Sequence, residues 1–132
     1  LHLGLEEDER SDQIDELYDI ASGYDEEMII GGDLNTEPHE DMMESINNGL
    51  FGDGDNTGKL TLGLGSIWHS SPDRGGRPLD TPTYPAPDVD DDEAHIDYIL
   101  FSEGFDARRA VIDDGEGVSD HRMVWGELEI IF

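Results

Sequence analysis

Three short strings concentrate the side chains with chemical reach: Gly32-Asp33-Leu34-Asn35, Ile96-Asp97-Tyr98 and Ser119-Asp120-His121. Each sits beside the end of an apolar run, where loops commonly hold active sites. Their carboxylate, amide and imidazole groups form a set that can deprotonate water near neutral pH, bind an anion and protonate a leaving oxygen. Taken singly, each string also has a plain structural use. Asp33 and Asn35 serve as turn residues bonded to their own backbone, Asp97 as a buried ion-pair partner, and His121 as a surface histidine. Cysteine is absent, which excludes a disulfide framework, a thiol nucleophile and a thiolate metal site. The oxygen and imidazole ligands that remain favour hard divalent metals.

The elements that must position these strings can be read from periodicity. Ser11 is a plausible N-cap, and Ile14, Leu17, Tyr18 and Ala21 recur at helical spacing, with Gly23 placed to end the helix. Met28-Ile29-Ile30-Gly31-Gly32 is a short apolar run closed by glycines, which suits a buried strand turning at Asp33. Thr36 and Pro38 predict a second helix start, with Met42, Met43, Ile46 and Leu50 on its apolar face and Asn48-Gly49 near its end. Residues 52–76 are rich in Gly, Asp, Ser and Thr and read mostly as loop with short strands. Thr81 to Pro85 is an edge-like extended piece, and Pro87 to Glu93 a charged loop. His95 to Phe101, Arg108 to Ile112 and Met123 to Ile131 are predicted strands, the last alternating through Val124, Gly126, Leu128 and Ile130.

In this order and context, the three strings resemble those of the endonuclease/exonuclease/phosphatase superfamily of metal-dependent phosphoesterases. The family carries a glycine-aspartate-x-asparagine turn, an arginine-isoleucine-aspartate-tyrosine strand and a terminal serine-aspartate-histidine. Leu1-His2-Leu3, followed by the helix around Gln13 to Leu17, also looks like the family's threonine-histidine-leucine strand end and the helix after it. The resemblance covers nearly the whole chain. His95 stands where the family has arginine, and Leu1 where it has threonine.

The resemblance implies an α+β fold, the C-terminal half of a four-layer α/β sandwich with a mainly antiparallel sheet flanked by helices. Residues 1–132 then read as a single partial domain, with the family's N-terminal half and its asparagine and glutamate metal ligands expected upstream. It further implies a phosphodiesterase, phosphatase or nuclease that uses Mg²⁺ or Mn²⁺. In that chemistry Asp97 would fix the tautomer of His121, and His121 would activate water or stabilise the phosphorane. Asp33 would orient the nucleophile or touch the metal, Asn35 would donate to a phosphate oxygen, and Asp120 would be a metal-side carboxylate. His2 matches a second histidine thought to protonate the leaving group in deoxyribonuclease-like members.

Composition bounds these readings. Thirty-four acidic residues face 7 Lys+Arg, a formal net charge of −27. Self-repulsion on that scale suits a salt-rich, halophilic cytosol, where screening shortens to about 3 Å at 1 M salt. The acids are interleaved with periodic apolar positions, unlike a disordered acidic tail. No apolar run approaches the roughly 20 residues that cross a bilayer. A start at Leu1 instead of Met suggests that something upstream is missing and leaves secretion open. No basic or aromatic stripe that would grip a nucleic acid is evident, which favours small or lipid phosphodiesters as the substrate.

Two further clusters weaken on inspection. Asp53-Gly54-Asp55-Asn56-Thr57-Gly58 has the alternating oxygens of a calcium loop, but its twelfth position is Leu64, not glutamate. Asp88 to Glu93 reads as a solvated loop. Arg74-Gly75-Gly76-Arg77 could dock a phosphate, or be neutralised by neighbouring acids. The competing functional class is a catalytically silent interaction module. Half of a two-sheet sandwich would expose an apolar sheet face, so self-association or pairing with an N-terminal half is expected.

Overall fold

A computed structural model describes residues 1–47, 63–115 and 117–132. Helix α1 spans Glu7–Ala21, strand β1 Ile29–Asp33, helix α2 Asp41–Asn47, strand β2 Gly65–Ser66 and the one-turn helix α3 Ile67–Ser70. Strands β3 (Asp97–Phe101), β4 (Phe105–Asp113) and β5 (Met123–Ile130) complete the chain. β3 lies between β1 and β2 in one antiparallel sheet, and β4 and β5 form a second antiparallel pair.

The central strand shows how the layers are held. Tyr98 and Leu100 of β3 are buried with Ile14, Met42, Met43 and Ile46 of the two long helices, together with Leu3, Leu34 and Leu64. Phe101, with Ile99 packed alongside, joins Ile67, Trp68, Ala107, Ala110 and Ile112 in the second core. Alternate residues of a strand point to opposite faces, so β3 feeds two cores at once. The resulting order is helices, first sheet, second sheet, as the expected mainly antiparallel α+β architecture requires. The β4–β5 hairpin and α3 lie against the far side of β3. Met123, Trp125, Ile130 and Ile131 at the hairpin remain exposed.

Several expected boundaries shift for identifiable reasons. α1 begins at Glu7, four residues before the anticipated cap at Ser11. Glu7, Asp8 and Glu9 occupy its first turn, where negative charge complements the helix dipole. Arg10 is buried there and reaches the Leu5 carbonyl and the Glu40 carboxylate. α2 starts at Asp41 because residues 37–40 are already committed to a turn, with Glu37 N–H donating to the Glu40 side chain and Glu40 N–H to the Glu37 carbonyl. Within the span expected to be mostly loop, Ile67 and Trp68 form α3 and fill the space between the sheets, and the Trp68 indole N–H donates to the Leu79 carbonyl. Tertiary burial overrides the Gly/Ser-rich composition of that span. The calcium-like string at Asp53–Gly58 and the expected end of α2 at Asn48–Leu50 lie outside the described residues.

β3 begins at Asp97, not His95. The two preceding residues are tied sideways instead, the Ile96 N–H to the Thr83 hydroxyl and the His95 ring to the Thr81 carbonyl. β4 is longer than anticipated and carries an irregularity between Ala107 and Arg109. β5 keeps its predicted alternation, with Val124, Gly126 and Leu128 turned inward. Gly126 faces the crowded side: a Cβ there would lie 2.4 Å from Ile67 Cδ1 and 2.5 Å from the Arg109 carbonyl oxygen.

Candidate active site

Strand register brings the first two strings together. In the β1–β3 pairing Asp33 lies directly opposite Asp97. Two carboxylates facing each other repel unless something positive or hydrogen-bonding intervenes. His121 does so from the turn that leads into β5. Its Nδ1 is 2.8 Å from Asp97 Oδ2, and its Nε2 is 3.7 Å from Asp33 Oδ2. The first contact is a short hydrogen bond, while the second is too long for one and acts electrostatically. A carboxylate only accepts, so His121 Nδ1 carries the hydrogen and Nε2 is the basic nitrogen of the neutral ring.

The N-terminal segment supplies a second imidazole. Asp33 N–H donates to the Leu1 carbonyl and Leu3 N–H to the Asp33 carbonyl, both at 2.9 Å. This parallel bridge sets His2 Nε2 3.7 Å from Asp33 Oδ2. Gly32 makes the approach possible. Its φ is +154°, and a Cβ there would lie 1.9 Å from the Leu1 backbone oxygen. Asn35 follows in the left-handed region, φ 46°, a conformation that asparagine tolerates better than most residues. Its N–H donates to Asp33 Oδ1 at 2.8 Å, and its amide Nδ2 donates to the Leu3 carbonyl. One of the two amide hydrogens is thereby used.

Sequence reading missed the segment that holds these parts in place. The Thr83 side chain is fully buried, and its oxygen accepts from the N–H groups of Ile96 and Asp97 at 3.0 and 3.1 Å. The next residue, Tyr84, lays its ring 4.9 Å from the His121 ring and donates its hydroxyl to Asp91 at 2.6 Å. Arg122 N–H bonds the Thr83 carbonyl, which fixes the chain just after His121. A Thr-Pro-Thr-Tyr-Pro string ahead of an aspartate strand was the available signal, but it identified only an extended piece.

The electrostatics follow from these contacts. Burial pushes the Asp97 carboxyl up, opposed by hydrogen bonds from His121 and Thr83. For His121, burial works toward the neutral ring, but the Asp97 hydrogen bond and the charges of Asp97, Asp33 and Asp120 outweigh it and hold its pKa above the ordinary value. Asp33, Asp97 and His121 offer ligand atoms that all lie within 4.8 Å of one another, the one such group among the described residues. Asp120 lies outside that group, exposed, with its side chain beside the Ser119 hydroxyl at 3.5 Å. Its charge still reaches His121.

In the possible phosphate dock one arginine is paired with an acid and the other contacts a backbone carbonyl. Arg77 pairs with Asp114 at 3.1 Å, and Arg74 donates to the Ser71 carbonyl at 2.8 Å. In the loop at Asp88 to Glu93, Asp91 holds Tyr84 and Asp88 accepts from Gly117 N–H at 3.2 Å. No helix among the described residues is long and apolar enough to cross a membrane.

Comparison with known proteins agrees with this layout. No curated protein matches the chain. Among solved structures it is similar to a mannosyl-6-phosphatase of Bacteroides thetaiotaomicron, with 16% identity, a TM-score of 0.65, and coverage of 99% of this chain but 49% of that one. A conserved protein of unknown function from Enterococcus faecalis gives a TM-score of 0.65 at 16% identity, covering 98% of this chain and 48% of that one. An endonuclease/exonuclease/phosphatase family protein from Bacteroides thetaiotaomicron gives 0.64 at 16% identity, covering 94% and 46%. The chain thus spans about half the length of these structures, and the likeness establishes the fold. The family model for endonucleases, exonucleases and phosphatases matches residues 4–121, a span that contains Asp33, Asn35, Asp97, Asp120 and His121, and the chain belongs to that family.

Proposed function

We propose that the chain carries the hydrolytic centre of a metal-dependent phosphoesterase. The observation that carries this reading is the bridge of His121 across the register pair Asp33–Asp97. His121 Nε2 takes a proton from the attacking water, and Asp97 stabilises the resulting imidazolium through its hydrogen bond from Nδ1. The second amide hydrogen of Asn35 binds a non-bridging phosphate oxygen, where a carboxylate would repel the anion. Asp33, held by the Asn35 N–H, orients the nucleophile. His2 is exposed and free to approach an outside leaving group, which it protonates.

The donor set fits a hard divalent cation. Asp33, Asp97 and His121 offer ligand atoms within 4.8 Å of one another; Asp33 would hold the ion with an oxygen of the kind Mg²⁺ and Mn²⁺ prefer, and Asp120, next to His121 in the chain, would add a second carboxylate from outside that group, whereas Asp97 is already engaged by His121. When bound, such an ion supplies positive charge opposite the phosphate. Phosphate esters of small molecules are the favoured substrates, because the arginines near the site are tied to acids and carbonyls. The similarity to a sugar-phosphate phosphatase supports that choice.

The test is hydrolysis of bis(p-nitrophenyl) phosphate and p-nitrophenyl phosphate in molar KCl, with Mg²⁺, with Mn²⁺ and with chelator. Metal-dependent turnover that disappears in His121→Ala is expected. Turnover that survives either the chelator or His121→Ala would overturn the assignment, as would none with any metal.

A further inference from the structure

One hydrogen bond does not fix an imidazole. The bond from His121 Nδ1 to Asp97 holds a single ring atom, and the 3.7 Å from Nε2 to Asp33 is too long for a second bond. The direction in which Nε2 points therefore depends on what the rest of the ring packs against.

Residues 83–86 lie alongside the turn that carries His121. Ala86 N–H donates to the Asp120 carbonyl at 2.6 Å, and Arg122 N–H donates to the Thr83 carbonyl at 2.8 Å. The Arg122 side chain adds a bond from Nε to the Pro85 carbonyl at 3.0 Å. These contacts pin the chain on both sides of His121 and leave Tyr84 opposite it. The two ring centroids are 4.9 Å apart with the planes at 51°, a separation typical of attractive aromatic pairs.

Tyr84 is held at both ends. Its backbone exchanges two hydrogen bonds with Ala94, at 3.0 and 2.8 Å, which close the base of the charged loop between them. From that loop Asp91 Oδ2 reaches back to accept the Tyr84 hydroxyl at 2.6 Å, the length of a bond between a hydroxyl and an ionised carboxylate. The bond holds the Asp91 carboxyl below its ordinary range and the Tyr84 phenol above its own, so donor and acceptor keep their roles around neutrality. A ring anchored at its backbone and at its hydroxyl cannot swing away from the imidazole. One acid of the charged loop thus has a definite structural task.

We propose that Tyr84, latched by Asp91, is a positioning residue for His121, its ring the wall that keeps Nε2 aimed at the water to be activated. The catalytic consequence rests on the hydrolytic reading above. A misplacement of about 1 Å at a reacting group can cost on the order of 10²-fold in rate, so a wall that acts only through His121 still controls turnover.

A graded set of variants tests this in two ways. In steady-state kinetics on bis(p-nitrophenyl) phosphate in molar KCl with Mn²⁺, Tyr84→Ala should lower kcat about 10²-fold and change KM by less than about threefold. Tyr84→Phe and Asp91→Ala keep the ring and lose the latch, and each should lower kcat about fivefold, as the loss of one hydrogen bond would. The double variant should be no slower than either single one, because both break the same contact. Asp91→Asn should restore most of the rate, since its oxygen can keep the Asp92 N–H while its amide donates to the Tyr84 oxygen. The second readout needs no turnover: ¹H–¹⁵N spectra of the metal-free chain follow exchange of the His121 Nδ1–H with water. Exchange should quicken from Asp91→Asn through Tyr84→Phe to Tyr84→Ala, while the β3 amides keep their protection. Native kcat or native Nδ1–H exchange in Tyr84→Ala would overturn the proposal, as would β3 amides that loosen in step with the ring. If Tyr84→Ala does not fold, Tyr84→Phe and Asp91→Ala decide by the same comparison. A native chain with no turnover would overturn the hydrolase reading, and the exchange series alone would then decide whether Tyr84 holds His121.

Discussion

His121 and the His69–His95 pair sit on either side of the Thr81–Pro85 segment, and identical imidazoles are driven in opposite directions there. His121 has carboxylates for neighbours, and their charge outweighs its burial, so its pKa rises. His69 and His95 pack edge to face at 4.9 Å, and their rings also meet the Ser66 hydroxyl and the Thr81 carbonyl. Burial dominates at both, with the neighbouring His95 and then Arg74 adding to it at His69, which falls to about 3. A partly buried imidazole beside a carboxylate is a proton acceptor near neutrality, whereas a deeply buried one beside neutral dipoles stays uncharged and acts through hydrogen bonds. The same residue type is thus held toward its charged form on one side of the segment and toward its neutral form on the other.

The contrast can be broken most strongly at Asp97. Asp97→Asn removes the charge that fixes His121, and turnover should fall by about 10³–10⁴-fold, read by steady-state kinetics on bis(p-nitrophenyl) phosphate. Unchanged rates would remove the dyad. Trp68→Ala attacks the other side. It empties the space under His95, should cost about 3–5 kcal/mol in urea unfolding, and should lower stability far more than Asp97→Asn does. Thr83→Val tests the segment between them. Loss of a buried acceptor for the Ile96 and Asp97 N–H groups should cost about 1–3 kcal/mol of stability and lower kcat more than it raises KM.

A pH series sharpens the comparison at smaller energies. Because His121 must be neutral to accept a proton, kcat/KM should rise with pH through a midpoint above the ordinary histidine value of 6.5, and Asp97→Asn should move that midpoint down. The stability signs are opposite. The raised pKa of His121 adds stability below pH 6.5 that is lost as pH rises through its folded value. The lowered pKa of His69 adds stability above 6.5 that is lost as pH falls from there toward about 3. Ring NMR titration should therefore show His121 still protonated at pH 6.5 and His69 and His95 neutral; co-titration of the three would dissolve the distinction. The smallest effect belongs to the exposed pair Arg108–Glu129 on β4 and β5. Arg108→Ala should change stability by less than about 1 kcal/mol, and less still in molar salt.

How much could be read in advance differs along the chain. Asp33, Asn35, Asp97, Asp120 and His121 were legible because each belongs to a short string whose residue types and order are distinctive. The helix and strand cores were legible because Ile14 and Ala21, or Val124 and Leu128, repeat at the period of their element. The α3 turn at Ile67–Ser70 was not, since four residues amid glycine and serine carry too little periodicity to register. Nor was Thr83, whose use depends on a partner 13 or 14 residues away.

The amino-acid sequence by itself determined which groups are available: carboxylates, an amide and imidazoles at strand ends, no thiol, and an acidic surface. It also determined the two periodicities from which the elements grow, because side-chain spacing is a local property of the backbone. Only the tertiary structure decided that Asp33 faces Asp97 and that His121 spans them, since register depends on how whole strands bury their apolar faces. The same packing decided that His95 loses a partner for Nε2 while His121 gains carboxylates. A protonation state depends on what surrounds a group, and those surroundings come from distant parts of the chain.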